Sequence, residues 1–353
     1  MAARRSGVRV PYPPLRLIGR HIRAFTRSFG SFLTATLRRM PMPLPPGTAD
    51  VAWQDGRFLP RDRLAVSPGD AGFVLGATVT EQLRTFRGEL FLPAAHAERL
   101  ARSLAAIGLA ASRPLPEVFA AAAEVARHNH ALLIEGRDAA AADLGLVIFV
   151  TPGDLAAQHA GRAGPPTTVV HSFPLACSLW ARAYETGVGL RGVSVQQVPA
   201  ACWPLGAKIR SRMHYFLADR EAAAAEPGAR PLLAHADGRI SETSTANIAV
   251  VRGTTITTPP LADALPGVSL GYLRQLATAA GFSCESRSLY ADDLAGADEI
   301  LLTSTPWCLQ PAVRWDGHSV GDGKPGPVYR QLLKAWSDGV GLDIVAQAAQ
   351  QAA

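Results

Sequence analysis

The sequence predicts an α+β protein with two domains. Its 353 residues, 48% hydrophobic and 18% charged, are enough to enclose two hydrophobic cores. Segments typical of strands and helices occur in both halves, and a polar passage with several Gly and Pro residues separates them at 151–166. We therefore expect a small α/β domain at 50–150, an interdomain connection at 151–166 and a large domain at 167–343.

The two ends of the chain differ from this body. Residues 1–49 contain nine arginines and no acidic residue, which leaves 26 basic and 29 acidic groups in the rest of the chain. Such a segment is typical of a transit peptide or a membrane-surface helix, but we expect a disordered tail upstream of a start at Met40 or Met42. Residues 344–353 are rich in Ala and Gln, and we expect a second tail there.

The composition of the body argues against several classes of protein. No apolar stretch reaches about 18 residues, so we expect no membrane span. The mildly acidic body gives little support to a nucleic-acid-binding face. Four scattered cysteines, without a CxxC pair or a His cluster, are typical of reduced thiols in a cytoplasmic protein and indicate no metal site.

The small domain begins with a hairpin and continues with strands and helices. Asp55-Gly56 lies between two short apolar segments, which is a hairpin signal. A β-rich segment follows, and Arg87-Gly88 predicts the turn that ends it. Pro93 begins a helix, 116–130 predicts a second helix, and the apolar segment 144–150 predicts a strand. These elements complete the small domain.

The large domain is organised around a stretch that begins at Lys208. This lysine opens an Ala-rich helix, a short strand follows, and Asp237-Gly238 predicts a turn ahead of Glu242. One amine and one carboxylate thus lie on neighbouring elements. Pyridoxal phosphate needs a lysine for its Schiff base and an anion beside its pyridine nitrogen. The same two residues are also ordinary surface features, so the pair alone leaves both interpretations open.

Two further features follow towards the C-terminus. Gly267 precedes a predicted helix at 269–280, and a predicted strand ends in the hydroxyl-rich turn 303–306. A helix N-terminus presents free N–H groups and a positive dipole end, so this one is either an anion site or an ordinary helix cap. The turn is either a second anion contact or a simple strand cap. A last helix is predicted at 327–336.

The order of residues across both domains resembles the signature of class IV, or fold-type IV, pyridoxal-phosphate enzymes. That family contains branched-chain aminotransferases, D-amino-acid aminotransferases and 4-amino-4-deoxychorismate lyases. The resemblance covers roughly residues 51–340. In the large domain it rests on Lys208, Arg212, Glu221-Ala222, Asp237-Gly238, Ser241-Glu242 and Asn247-Ile248. In the small domain it rests on Gly72, Gly76, Glu81, Arg84, Gly88, His96, Arg99, Leu100 and Ser103.

The resemblance implies a two-domain fold with the cofactor, pyridoxal 5′-phosphate, in the cleft between domains. It implies that Lys208 forms the Schiff base and that Glu242 is the partner of the pyridine nitrogen. The family places an arginine like Arg99 on the cofactor phosphate, where a guanidinium matches the phosphate oxygens. A solvated helix-face arginine is the alternative. The other cofactor-binding residues implied are Asn247, Val268, Ser269 and Thr305.

The substrate is less constrained by the resemblance. Ser304 and Pro306 flank the implied site of the substrate carboxylate, and Thr80 lies on the strand that borders the pocket. Ala77 and Thr80 depart from the residues that the family often has there, which weakens inference about the substrate. The group that contacts the cofactor 3′ oxygen is open, because Met213 and His214 fall where some relatives have a Tyr and Tyr215 is close by.

We therefore expect an aminotransferase that exchanges an amino group between an aliphatic or branched-chain amino acid and a 2-oxo acid. The spacing of Phe173-Pro174 before Lys208 looks more like the branched-chain aminotransferases than the lyases. A lyase of the 4-amino-4-deoxychorismate type or a D-amino-acid aminotransferase is the alternative. A non-catalytic homologue would have no need of Lys208, Glu242 and Arg99 together. The family also implies a homodimer.

Overall fold

A computed structural model describes residues 49–352, which form two β-sheets with helices packed on them. The predicted extension at 1–49 lies, apart from Ala49, outside the described residues. Within 49–352 no helix is both long enough and apolar enough to cross a membrane. The fold is α+β, as the sequence predicts.

The first sheet is antiparallel and carries helices on one face. Its six strands run in the order β2-β1-β6-β5-β3-β4. They are β1 Val51–Gln54, β2 Arg57–Pro60, β3 Val79–Phe86, β4 Glu89–Leu90, β5 Leu144–Thr151 and β6 Thr167–Pro174. Its helices are α1 Ala71–Val74, α2 Pro93–Ala106 and α3 Leu115–Leu133. Trp53, Leu83, Leu100, Phe119 and Ile148 are fully buried between sheet and helices, so this unit has its own core.

The change from the first sheet to the second falls later in the chain than predicted. The strand β6 pairs antiparallel with β5 over its whole length and also with β1. The passage at 151–166 therefore joins two strands of one sheet, and the assignment of the strand after residue 166 to the large domain is wrong. Gly and Pro residues indicate where a strand ends, but they do not indicate to which sheet the next strand returns.

The second sheet is mixed, in the order β12-β11-β10-β13-β14-β7-β8-β9, with β15 on β14. Its strands are β7 Val188–Gly192, β8 Arg230–Ala234, β9 Ile240–Thr243, β10 Asn247–Arg252, β11 Thr255–Thr258, β12 Ser283–Ser286, β13 Glu299–Ser304, β14 Cys308–Trp315 and β15 His318–Ser319. The helices are α4 Ala183–Thr186, α5 Met213–Ala225, α6 Val268–Ala279, α7 Ala291–Ala295, α8 Pro327–Val340 and α9 Ile344–Ala352. A second core includes Ile248, Leu301, Leu332 and Trp336.

The predicted C-terminal tail is instead the ordered helix α9, so that prediction is wrong. Ile344 and Ala348 are buried. The amide of Gln347 donates to Asp143 Oδ2 at 2.8 Å, and Gln351 hydrogen bonds to the backbone of Asp143. The Ala- and Gln-rich sequence does not reveal what this helix packs on, because the groups that hold it lie about 200 residues earlier in the chain.

Lys208 lies before helix α5 rather than on it, which corrects the prediction that it opens the helix. The helix begins at Met213. The segment around Lys208 pairs with the start of β3, because Thr80 N–H donates to Lys208 O and Arg210 N–H donates to Thr78 O, both at 2.9 Å. Backbone groups that bond to β3 cannot also form a first helical turn. The pairing ties this lysine to the first sheet.

Candidate active site

A cavity of about 380 Å³ lies where the two sheets meet. Elements of both sheets line it, together with the segment that carries Lys208. All ten residues that the sequence predicts for the cofactor and substrate site are among its lining residues. They are Thr80, Arg99, Lys208, Glu242, Asn247, Val268, Ser269, Ser304, Thr305 and Pro306.

Lys208 is held through its backbone and presents its amine to the cavity. Its N–H donates to Ser103 Oγ at 3.0 Å, and that hydroxyl donates to Arg99 O on helix α2 at 2.9 Å. Burial, and then the charges of Arg99 and Arg212, lower the pKa of Lys208 to about 8, against the opposing effect of Glu81 and Glu242. A lysine with a depressed pKa has a larger neutral fraction, which is the form that attacks a carbonyl.

Glu242 is a buried carboxylate held by three hydrogen bonds. Tyr215 Oη donates to its Oε1 at 2.8 Å, while Asn247 Nδ2 and Leu265 N–H donate to its Oε2 at 3.1 and 3.3 Å. Burial raises the pKa of Glu242, and the bonds from Tyr215 and Leu265 counter this rise. The carboxylate is therefore fixed in orientation and available to a cation or an N–H group in the cavity.

Tyr215 acquires a partner that the sequence did not indicate. Its hydroxyl donates to Glu242, whereas Met213 is 69% exposed and the ring of His214 lies tilted against that of Tyr215, with 3.9 Å between the ring centres. Gln197 Nε2 in turn donates to Tyr215 Oη at 3.3 Å. The one sequence signal for this role is that Tyr215 follows Lys208 closely in the chain, which could have placed it at the same site.

Arg99 is buried and paired, so the alternative of a solvated helix-face arginine is wrong. Its Nε donates to Glu81 Oε2 at 2.9 Å, its Nη2 donates to Glu81 Oε1, and its Nη1 donates to Pro266 O at 3.2 Å. Burial would raise the pKa of Glu81, but Arg99 and His96 together hold it well below its usual range. Glu81 thus anchors a guanidinium whose remaining N–H groups lie next to the loop before helix α6.

The N-terminus of α6 opens on the cavity without a side-chain cap. Gly267 is the N-cap residue, and a Cβ at this position would collide with Asn247 Oδ1. Asn247 Nδ2 also donates to Leu265 O at 2.8 Å, which holds the loop that leads into the helix. Val268 and Ser269 are the first residues of the helix. Uncapped N–H groups at the positive end of a helix dipole, beside Arg99, are groups that can bind an anion.

The remaining predicted residues form the opposite side of the cavity. Thr80 Oγ1 donates to Ile148 O at 3.2 Å, so the buried hydroxyl that departs from the family pattern has a partner. Ser304 Oγ donates to Thr245 O at 2.7 Å. Arg84 Nη1 donates to Pro306 O at 2.9 Å and fixes the turn that carries Thr305. The sequence indicated Arg84 only as part of the family pattern and gave it no role.

The donor set of this cavity fits pyridoxal phosphate. An amine with a lowered pKa, a buried carboxylate and an uncapped helix N-terminus beside an arginine face one space. These three are what the aldehyde, the pyridine nitrogen and the phosphate of that cofactor require. Lys208, Glu242 and the group formed by Arg99, Val268 and Ser269 are the residues that could hold them.

Comparison with known proteins places the chain among aminotransferases. A family model described as amino-transferase class IV matches residues 78–315. A D-alanine aminotransferase of Bacillus licheniformis is 27% identical over 288 residues, which is 81% of this chain and 95% of that protein. A branched-chain-amino-acid aminotransferase-like protein 2 of Arabidopsis thaliana is 26% identical over 336 residues, or 92% of this chain and 56% of that protein.

Solved structures show the same fold. A branched-chain amino acid aminotransferase of Escherichia coli superposes with a TM-score of 0.74 at 23% identity and covers 82% of this chain and 94% of its own. A branched-chain amino acid aminotransferase from T.th., solved with pyridoxamine 5′-phosphate, gives a TM-score of 0.72 at 23% identity, with 83% and 95% covered. At this identity the likeness concerns the fold.

Proposed function

The chain belongs to the class IV aminotransferase family, and from this premise we propose that it exchanges an amino group between an aliphatic amino acid and a 2-oxo acid. Class IV aminotransferases use pyridoxal 5′-phosphate. The observation that carries the proposal is the presence of Lys208 and Glu242 in one cavity, with an anion site formed by the start of α6 and Arg99.

Lys208 is the proposed catalytic residue. When bound, pyridoxal phosphate supplies a carbonyl carbon that condenses with amines and a ring that withdraws electrons from the substrate α carbon. The Nζ of Lys208 would hold the cofactor at rest and would be freed when the substrate amine takes its place. The freed Nζ would then be the group that takes a proton from the substrate α carbon and later gives it back. A pKa of about 8 suits both the basic and the acidic half of this transfer.

The other residues of the cavity bind and orient the cofactor and the substrate. Glu242 would hold a proton on the pyridine nitrogen of the cofactor, and the bond from Tyr215 fixes the orientation of this carboxylate. Arg99, Val268, Ser269 and Thr305 would hold the phosphate. Asn247 connects the proposed ring-nitrogen and phosphate sites, since its side chain donates both to Glu242 and to the loop before α6. Ser304 and Pro306 receive the substrate carboxylate, and Thr80 borders the side chain of the substrate.

An aliphatic substrate is supported by the apolar part of the lining. Val147, Trp203 and Leu205 contribute side chains of this kind. The relatives named above act on D-alanine in one case and carry branched-chain names in the others. The proposal therefore extends to either enantiomer of a small or branched aliphatic amino acid.

We propose a homodimer in the cytoplasm as the working form of the protein. Apolar side chains that are unusually exposed for a single chain support an interface, among them Phe73 at 76%, Leu75 at 64% and Phe216 at 56%. Light scattering behind a sizing column tests the oligomeric state, and a mass equal to one chain would contradict it. Cell fractionation tests the compartment.

A screen of half-reactions tests the proposed function. The purified holoenzyme is mixed with single L- and D-amino acids, and conversion of the cofactor to its aminated form is followed by its change in absorption. We expect slow but real conversion with leucine, isoleucine, valine or alanine. An assay for pyruvate release from 4-amino-4-deoxychorismate runs in parallel. Pyruvate release without any amino-acid half-reaction would instead identify the lyase that shares Lys208 and its proton transfer.

A further inference from the structure

The C-terminal helix α9 contacts a residue that fixes one side of the cavity. This helix, Ile344–Ala352, lies outside the region that the family model matches, which ends at residue 315. Its Gln347 is only 4% exposed and forms two hydrogen bonds of opposite kind. The Nε2 of Gln347 donates to Asp143 Oδ2, and its Oε1 accepts from Arg84 Nη2 at 3.3 Å. The second bond connects α9 to strand β3.

Arg84 is a buried cation whose acceptors come from three parts of the chain. It is 2% exposed, and the acceptors that the described residues offer it are all neutral. Its Nε donates to Thr85 O at 3.1 Å, its Nη1 to Pro306 O at 2.9 Å and Cys308 Sγ at 3.3 Å, and its Nη2 to Gln347. A guanidinium removed from water needs protein acceptors for its N–H groups. Among the described residues, Gln347 is the one that Nη2 has.

The turn that Arg84 holds lies between β13 and β14 and ends in a strained residue. Ser304 pairs with Cys308, and 305–307 connect them. Cys308 has a φ of 62°, in the left-handed region that favours glycine. Arg84 bonds both to the middle of the turn, at Pro306 O, and to the side chain of this strained residue. Ser304 and Pro306 line the cavity at the proposed place of the substrate carboxylate, so the position of Arg84 affects that place.

We propose that Gln347 is a positioning residue, which keeps Arg84 in the orientation that holds the turn 304–308 ready for the substrate carboxylate. A side-chain amide suits this role, because its oxygen faces the Arg84 cation while its N–H group faces the Asp143 carboxylate. Without Gln347 the guanidinium loses an acceptor and is free to turn away from the strained turn. This inference rests on the proposed function, which gives the turn its substrate carboxylate.

The test uses variants that separate the docking of α9 from its contact with Arg84. Gln347→Met keeps the length of the side chain and removes both bonds, whereas Gln347→Glu keeps an acceptor for Arg84 and loses the amide donor to Asp143. The matched control is Gln351→Met, since Gln351 docks the same helix on the backbone of Asp143 and forms no hydrogen bond with Arg84. All three variants should lower the melting temperature, because each removes a bond that docks α9.

The kinetic constants should distinguish these variants. With saturating cofactor, Gln347→Met should raise KM for the amino acid about 3- to 10-fold and leave kcat nearly unchanged, because the carboxylate contact is made equally in the ground and transition states. Gln347→Glu and Gln351→Met should keep KM near that of the parent protein. A residue that only docks the helix would not separate KM from the melting temperature in this way.

A binding measurement makes the test independent of turnover. Pentanoate has one carboxylate and no amine, and calorimetry gives its dissociation constant from the holoenzyme. This constant should rise about 3- to 10-fold in Gln347→Met alone. An unchanged constant in Gln347→Met, or an equal rise in Gln347→Glu or Gln351→Met, would overturn the role of Gln347 while the aminotransferase stands. The expected pattern for pentanoate in a protein that converts no amino acid would instead refute the proposed reaction and support the positioning role.

Discussion

The two walls of the cavity differ in how their polar groups are held. On the large-sheet wall, formed by Glu242, Asn247 and the start of α6, the carboxylate accepts three hydrogen bonds and the amide donates two. On the small-sheet wall, formed by Thr80, Gln82 and Arg210, the threonine hydroxyl is bonded, whereas the guanidinium of the exposed Arg210 forms no hydrogen bond or ion pair with any described residue. Groups that meet an invariant cofactor can be fixed in advance, while groups that meet a varying substrate need room to adjust.

The largest effect is expected from Lys208, which stands between the walls. Lys208→Ala should reduce turnover by several orders of magnitude and abolish the visible absorption of the cofactor bound to lysine, because no other described lysine lines the cavity. Lys334→Ala is the control, since Lys334 is an exposed lysine paired with Asp338 on α8. Normal turnover with alanine at position 208 would show that Lys208 is not the catalytic residue and that the two walls do not enclose the reaction site.

The next largest effect is expected from Glu242, the carboxylate of the large-sheet wall. Glu242→Gln keeps the shape but removes the charge that favours a protonated ring, so kcat should fall about 10²- to 10³-fold with little change in the melting temperature. Glu98→Gln, on the outer face of α2 and paired with Arg102, should change neither quantity. If kcat and the cofactor spectrum of Glu242→Gln match those of the parent protein, the carboxylate does not face the ring nitrogen.

A smaller effect, on the affinity for the cofactor, is expected from Arg99 and from Glu81, which holds it. Arg99→Ala should raise the dissociation constant of pyridoxal phosphate about 10- to 100-fold, measured by titration of the apo-protein. Glu81→Gln should give part of this loss, because Glu81 only holds Arg99 in place. Affinity for pyridoxal, which lacks the phosphate, should be nearly the same in all three proteins. A parallel loss for pyridoxal would instead indicate general damage to the fold.

The last effect concerns how the stability of the apo-protein changes with pH. The folded state lowers the pKa of Lys208 from 10.5 to about 8, so between these values the unfolded chain binds a proton that the folded chain has released. Stability from this group therefore rises with pH across that window, by at most about 1.4 kcal/mol per pH unit. The free energy of unfolding from urea titrations should show this rise relative to Lys208→Met. Parallel curves for the two proteins would mean that burial does not disfavour the ammonium.

The sequence by itself indicated which residues line the cavity and, for Gly267, the helix that follows it. A turn, a glycine before a helix and a hydroxyl-rich strand end depend on neighbours along the chain, whereas the helix expected at Lys208 begins only at Met213. The predicted hairpin at Asp55-Gly56 and the helix from Pro93 are found for the same reason. Such features are fixed by the backbone preferences of a few residues.

Only the tertiary structure decided how these residues are held. The pairing of Arg99 with Glu81, the bond from Tyr215 to Glu242 and the unpaired state of Arg210 among the described residues depend on which surfaces meet. The return of β6 to the first sheet and the docking of α9 on Asp143 were missed for that reason. Their partners are far away in sequence, and hydrogen bonds between distant residues form only once burial has brought both elements into one core.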